Sequence, residues 1–127
     1  MEAKLYALVA LGGGIGSALR FFISERCRVL NEDFPLGTLS VNLIGSLLVG
    51  LLAGFVFSRP NLPESFRVFL MLGVLGGFTT FSNFSYDSIS LIRAGMLSQA
   101  LLNILVQLVG GILLAGLGFY FGRAVFS

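Results

Sequence analysis

Residues 76–85, GGFTTFSNFS, set Phe78, Phe81 and Phe84 among Thr79, Thr80, Ser82, Asn83 and Ser85 inside a long apolar stretch. Hydroxyls and amides in hydrocarbon are costly unless they meet protein, water or a ligand. An aromatic ring has a negative face and a positive edge. Phe81 and Phe84, three residues apart, can therefore line one side of a track with their edges turned inward. Ring edges beside hydroxyl and amide donors suit a small anion that is shedding water; ordinary core aromatics are the competing reading. An unbroken helix would spread positions 79, 80, 82, 83 and 85 over nearly every face. Gly76 and Gly77, followed by two β-branched threonines, are poor helix formers, which predicts a break near 76–80. Non-helical backbone at membrane depth is tolerated only where it is buried in protein or lines a cavity. Carbonyls freed there would form an oxygen site for a hard cation such as Na⁺.

Three further groups of polar residues interrupt apolar sequence. Arg20, in GGIGSALRFF, either snorkels to the headgroups or acts as an anion attractor at a pore mouth or as the partner of an acid. GTLSVNLIGS places Thr38, Asn42 and Ser46 four apart, on one helical face. Asn42 there serves an interhelical hydrogen bond or belongs to a polar wall along a solute path. Asn103, Gln107 and Gly111 share a face further on, a stripe that gives way to apolar Ala115.

The elements that must hold these groups follow from composition. Of 127 residues, 56% are hydrophobic and 11% charged, too little polarity to clothe a soluble domain of this size. Polar clusters divide the chain into four apolar spans, about 5–23, 36–57, 66–91 and 97–122. Each is long enough to cross about 30 Å of hydrocarbon as a helix, and none shows the alternation of a barrel strand. The expected fold is an all-α integral membrane protein, residues 1–127 forming one four-helix domain with short connectors. The first span is too long for a signal-peptide core and is read as a retained helix.

Four spans bring both termini to one side, with Lys4, Arg59, Arg67 and Arg123; Arg20, Arg26, Arg28 and Arg93 fall on the other. Four against four leaves the positive-inside rule almost nothing to read. Either features other than charge orient the chain, or it inserts in both directions and assembles as an antiparallel pair; four thin spans have little bulk to enclose a polar path alone, which favours the pair. Glycines at four-residue spacing, Gly12/Gly16, Gly50/Gly54, Gly73/Gly77 and Gly118/Gly122, predict tight helix packing. Histidine is absent, Cys27 is the sole cysteine, and no carboxylates pair within a span, all of which argue against an enzyme. The net charge of +2 includes no basic run, which argues against nucleic acid as a partner.

GGIGSALRFF, GTLSVNLIGS and above all GGFTTFSNFS resemble the Fluc (CrcB) fluoride channels, and the likeness runs over nearly the whole chain. The resemblance implies dual-topology antiparallel homodimers in the bacterial plasma or inner membrane, with two pores for passive fluoride efflux that relieves fluoride toxicity. Phe81 and Phe84 would present ring edges to fluoride, Asn42 would be a pore-lining amide, and Ser82 and Thr38 hydroxyl ligands. Main-chain carbonyls of Gly76 and Thr79 would hold a central structural Na⁺ at the dimer interface, and Arg20 would stand near the cytoplasm-facing vestibule. Three positions depart from the family. Asn83 replaces a threonine, and the hydroxyls of the fourth helix fall at Gly111 and Ala115. Asn103, Gln107 and water, or a homologous partner subunit in a heteromer, would then supply the missing groups. A small proton-coupled multidrug exporter is the alternative from another class. It needs an acid within the membrane, and of six acids only Asp87 lies near a span.

Overall fold

The computed structural model describes residues 2–127, and every regular element in it is helical. Helix α1 is Glu2–Leu30 and α2 is Leu36–Phe57. The third span, Glu64–Arg93, is divided into α3, residues 64–78, and α4, Phe81–Arg93. The fourth, α5, runs Leu97–Phe126. All four spans are long and apolar enough to cross a membrane, as composition predicts.

α2 has its expected bounds, and the other three spans run past theirs where the helix continues. α1 carries on to Leu30 through Glu25 and Arg28, which form an i,i+3 ion pair at 2.9 Å. Connectors shrink accordingly to 31–35, 58–63 and 94–96. Gly95, at φ +78°, makes the last one tight; a side chain there would be strained.

Packing follows the glycines. α1 lies along α3 and α2 along α5, each pair running in the same direction. A Cβ on Gly12 would sit 2.6 Å from the Phe69 carbonyl, and one on Gly77 2.5 Å from that of Gly13. Gly54, Gly118 and Gly122 are equally closed by backbone of the facing helix, α5 or α2. The four-residue glycine pairs thus serve contacts within one chain. Backbones approach until no side chain fits between them, which replaces hydrophobic driving force with van der Waals contact. Beyond the break, α4 leaves α1 and packs on the start of α5.

The break falls at Thr79 and Thr80, whose backbone is extended (φ −88°, ψ 160° and φ −153°, ψ 115°). The break lies within the expected 76–80, at its end: Gly76 and Gly77 remain helical. Gly77 is held there by its contact with Gly13, so packing overrides its weak propensity. Helices α3 and α5 also contain wide π-turns, over Val68–Leu75 and Val106–Gly110. These flank the same region as the break, and π-turns tend to gather at functional sites.

Candidate functional site at the broken helix

Asn42 of α2 closes the gap in the third span. Its Oδ1 accepts the Thr80 N–H at 2.8 Å and its Nδ2 donates to the Thr80 carbonyl at 3.0 Å. One amide thus satisfies both main-chain groups of an extended residue that no neighbouring strand could serve. The second Nδ2 proton goes to Gln107 Oε1 at 2.6 Å. Asn42 is therefore an interhelical clamp, and within one chain both of its protons are engaged.

Each side of the break has its own polarity. Thr80 caps α4, its hydroxyl accepting the Asn83 N–H at 3.1 Å and lying 3.2 Å from Ser82 Oγ. A helix of 13 residues then offers its positive end to the gap. On the other side, the last α3 bond is Thr79 N–H to the Leu75 carbonyl at 3.1 Å. The Thr80 N–H has turned to Asn42 and that of Asn83 to the Thr80 hydroxyl, so the Gly76 and Thr79 carbonyls lack the donors an unbroken helix would give them. These oxygens fit a hard cation such as Na⁺. Among the described residues no cluster of His, Cys, Asp or Glu offers another metal site.

Arg20 completes the negative side. Its Nε donates to the Gly77 carbonyl at 3.0 Å. Arg20 thus neither snorkels outward alone nor pairs with an acid; it caps the carboxyl end of α3 close to the middle of a 30-residue span.

An open cleft of about 320 Å³ lies against the break, lined chiefly by Asn42, Ser46, Gly76, Thr79, Phe81 and Gln107, with Phe84 at its wall. The rings of Phe81 and Phe84 have centroids 5.6 Å apart and are tilted by 54°. Phe84 is 8% exposed and fixed in the core, whereas Phe81 is 75% exposed on the outer side of the chain. An aromatic group that open, beside exposed Gly76, faces whatever covers this part of the molecule.

A model of the family described as CrcB-like protein, Camphor Resistance (CrcB), matches residues 7–119. The chain belongs to that family. It is 46% identical over 121 residues to the fluoride-specific ion channel FluC of Agrobacterium fabrum, covering 94% of this chain and 97% of the relative. FluC of Pyrococcus horikoshii is 42% identical over 123 residues, covering 97% and 99%. FluC of Magnetococcus marinus is 43% identical, covering 94% and 98%. Family membership and four apolar spans make the chain a multi-pass cell-membrane protein.

The structure distributes the expected site residues unevenly. Asn42, Phe81, Phe84, Gln107, Gly76 and Thr79 meet at the cleft. Ser82 and Asn83 are exposed at the start of α4, outside its lining. Thr38 sits one turn before Asn42 on α2, in a separate polar recess with Ser24, Arg28 and Asp87. Asn103 is fully buried behind Gln107. Two cleft residues were less evident from sequence: Thr80, whose backbone is the clamped one, and Ser46, the next member of the Thr38–Asn42 stripe. Ser46 Oγ lies 3.3 Å from where a Cβ on Gly111 would stand. A hydroxyl thus faces position 111 from α2.

Proposed function

We propose that the chain is a fluoride-selective channel through which cytoplasmic fluoride leaves passively, and that it works as an antiparallel dual-topology homodimer with two pores. The observation that carries this reading is the broken third span, where tilted phenylalanines, a clamped amide and opposed helix ends converge on one cleft. Its relatives' printed names, over nearly full length, support the ion. Fluoride is small and strongly hydrated, so its path must replace water with donors and positive ring edges while holding the ion weakly.

In this proposal Phe81 and Phe84 meet the ion with their edges, and Ser82, Thr38, Asn83 and Gln107 offer amide and hydroxyl groups along the route, while Asn42 lines it and redirects one of its engaged protons to the passing ion. Asn103 supports them from behind. Arg20 attracts the anion toward the vestibule while its Nε holds Gly77. Carbonyls of Gly76 and Thr79 from both copies would surround a structural Na⁺; two oxygens per chain are too few for a hard cation and four begin a sphere. Residues 1–127 act as one membrane domain. The homodimer is preferred to a heteromer because Ser46 already faces position 111, where the family's helix-four hydroxyl is missing.

Liposomes holding the purified chain alone, loaded with fluoride and read with a fluoride electrode, should release fluoride and retain chloride. Folded protein that releases no fluoride would reject the proposal. If fluoride release instead requires a co-reconstituted homologous chain, the heteromer replaces the homodimer.

A further inference from the structure

Four side chains and two main-chain groups form a single directed row of hydrogen bonds behind the cleft. The Thr80 N–H donates to Asn42 Oδ1, and Asn42 Nδ2 to Gln107 Oε1. Gln107 Nε2 donates to Asn103 Oδ1 at 2.7 Å, Asn103 Nδ2 to Ser88 Oγ at 3.1 Å, and Ser88 Oγ to the Phe84 carbonyl at 2.7 Å. The row begins at a group that can only donate and ends at one that can only accept. Turning any amide in it by 180° would set donor against donor or acceptor against acceptor, so its direction is fixed by the main chain at both ends. Asn103, Gln107 and Ser88 are all buried, which makes a misdirected member expensive.

We infer that Ser88 and Asn103, neither of which borders the cleft, are positioning residues that set which atoms of Gln107, the partner of Asn42, face it. An amide carries two N–H protons. Gln107 Nε2 spends one on Asn103, and Gln107 lines the cleft, so the row's direction leaves its second proton as the donor on that wall. Were the row reversed, Gln107 would keep an oxygen where an anion must pass. The Phe84 carbonyl that anchors the row belongs to the same residue whose ring bounds the cleft. Donor orientation and ring position are thereby tied to one segment of α4. The inference deepens the channel reading and rests on it for the identity of the ion.

The test compares Ser88→Ala, which removes the terminal hydroxyl, with Ser88→Thr, which keeps one, and with Asn103→Leu, which cuts the row in the middle. Side-chain amide NMR resonances of Asn42 and Gln107 in detergent-solubilised full-length protein report the row directly, without reference to transport. Fluoride efflux from liposomes reports its consequence. Ser88→Ala and Asn103→Leu should shift both amide resonances and slow fluoride efflux about tenfold, the effect of losing one directed hydrogen bond. Ser88→Thr should restore both readouts toward the wild type. Unchanged amide resonances in folded Ser88→Ala protein would overturn the inference, as would shifted resonances with wild-type efflux. Equal defects in Ser88→Thr and Ser88→Ala would do the same. If Asn103→Leu does not fold, the serine pair decides alone. Wild-type protein that passes no fluoride would defeat the channel reading, while the resonances would still decide whether the row is directed.

Discussion

Phe81 and Phe84 stand three residues apart with their rings tilted together, yet they answer to different surroundings. Phe84 is buried and belongs to the core as well as to the cleft; Phe81 is almost free of its own chain. Substitution should separate the two roles. Phe81→Ile removes a ring edge and little packing, so the thermal midpoint should hold while fluoride efflux falls by roughly tenfold, equivalent to about 1.4 kcal/mol at the barrier. Phe84→Ile should slow efflux similarly and also cost about 1–2 kcal/mol of stability, because a core ring is replaced by a smaller, differently shaped group. Efflux and thermal unfolding of the two variants check this. Wild-type rates in both would remove the ring-edge mechanism.

Helix pairing rests on glycines whose demands differ, and the differences are testable. A Cβ on Gly16 would collide with the Val74 carbonyl, and one on Gly50 with that of Ala115, whereas one on Gly14 would meet nothing. Gly16→Ala and Gly50→Ala should each force two helices apart and sharply lower the thermal midpoint. Gly14→Ala should be neutral or raise stability by up to about 1 kcal/mol, the propensity difference between the residues. Thermal unfolding in detergent orders the three, and an intact midpoint in Gly16→Ala would contradict the packing described. The comparison also shows how much a sequence discloses. Spacing revealed that glycine pairs pack closely, because the four-residue period is local. Which helix each pair meets is a tertiary fact. The broken span was legible in the same way: GGFTTFSNFS signals it, but the opening moved from the glycines to Thr79 and Thr80 because Gly77 is pinned by Gly13 and Asn42 rewards an extended Thr80. The π-turns carried no local signal. Arg20 could be read as a membrane-buried charge, but its partner, a carbonyl 57 positions away, could not.

At the scale of the molecule, charge and surface bear on the same question. The contact of Arg59 Nη1 with the Phe126 carbonyl, 2.7 Å, joins the α2–α3 connector to the carboxyl terminus, and a recess shared by Glu32, Asp33, Ala94 and Met96 joins the other two connectors. Since Arg20 is spent inside on Gly77, the end charges are Lys4, Arg59, Arg67 and Arg123 against Arg26, Arg28 and Arg93. Four against three, with Arg28 paired to Glu25, still gives the insertion machinery almost no bias. Meanwhile Phe81 and Gly76 remain open beside the cleft, on the face assigned to the inverted copy in the proposed dimer. Both orientations should therefore coexist. In a Cys27→Ser background, Ser127→Cys should be labelled by an impermeant maleimide in about half of the molecules from outside, and in the rest only after permeabilisation. Charge then supplies the causal arm. Asn61→Lys with Pro60→Lys should drive nearly all chains into one orientation, so that fluoride efflux collapses although the protein still inserts. Co-expression with a chain biased oppositely, by Ala94→Lys and Ser90→Lys, should restore it. Full efflux from a population labelled wholly on one side would mean that the cleft conducts without an inverted partner.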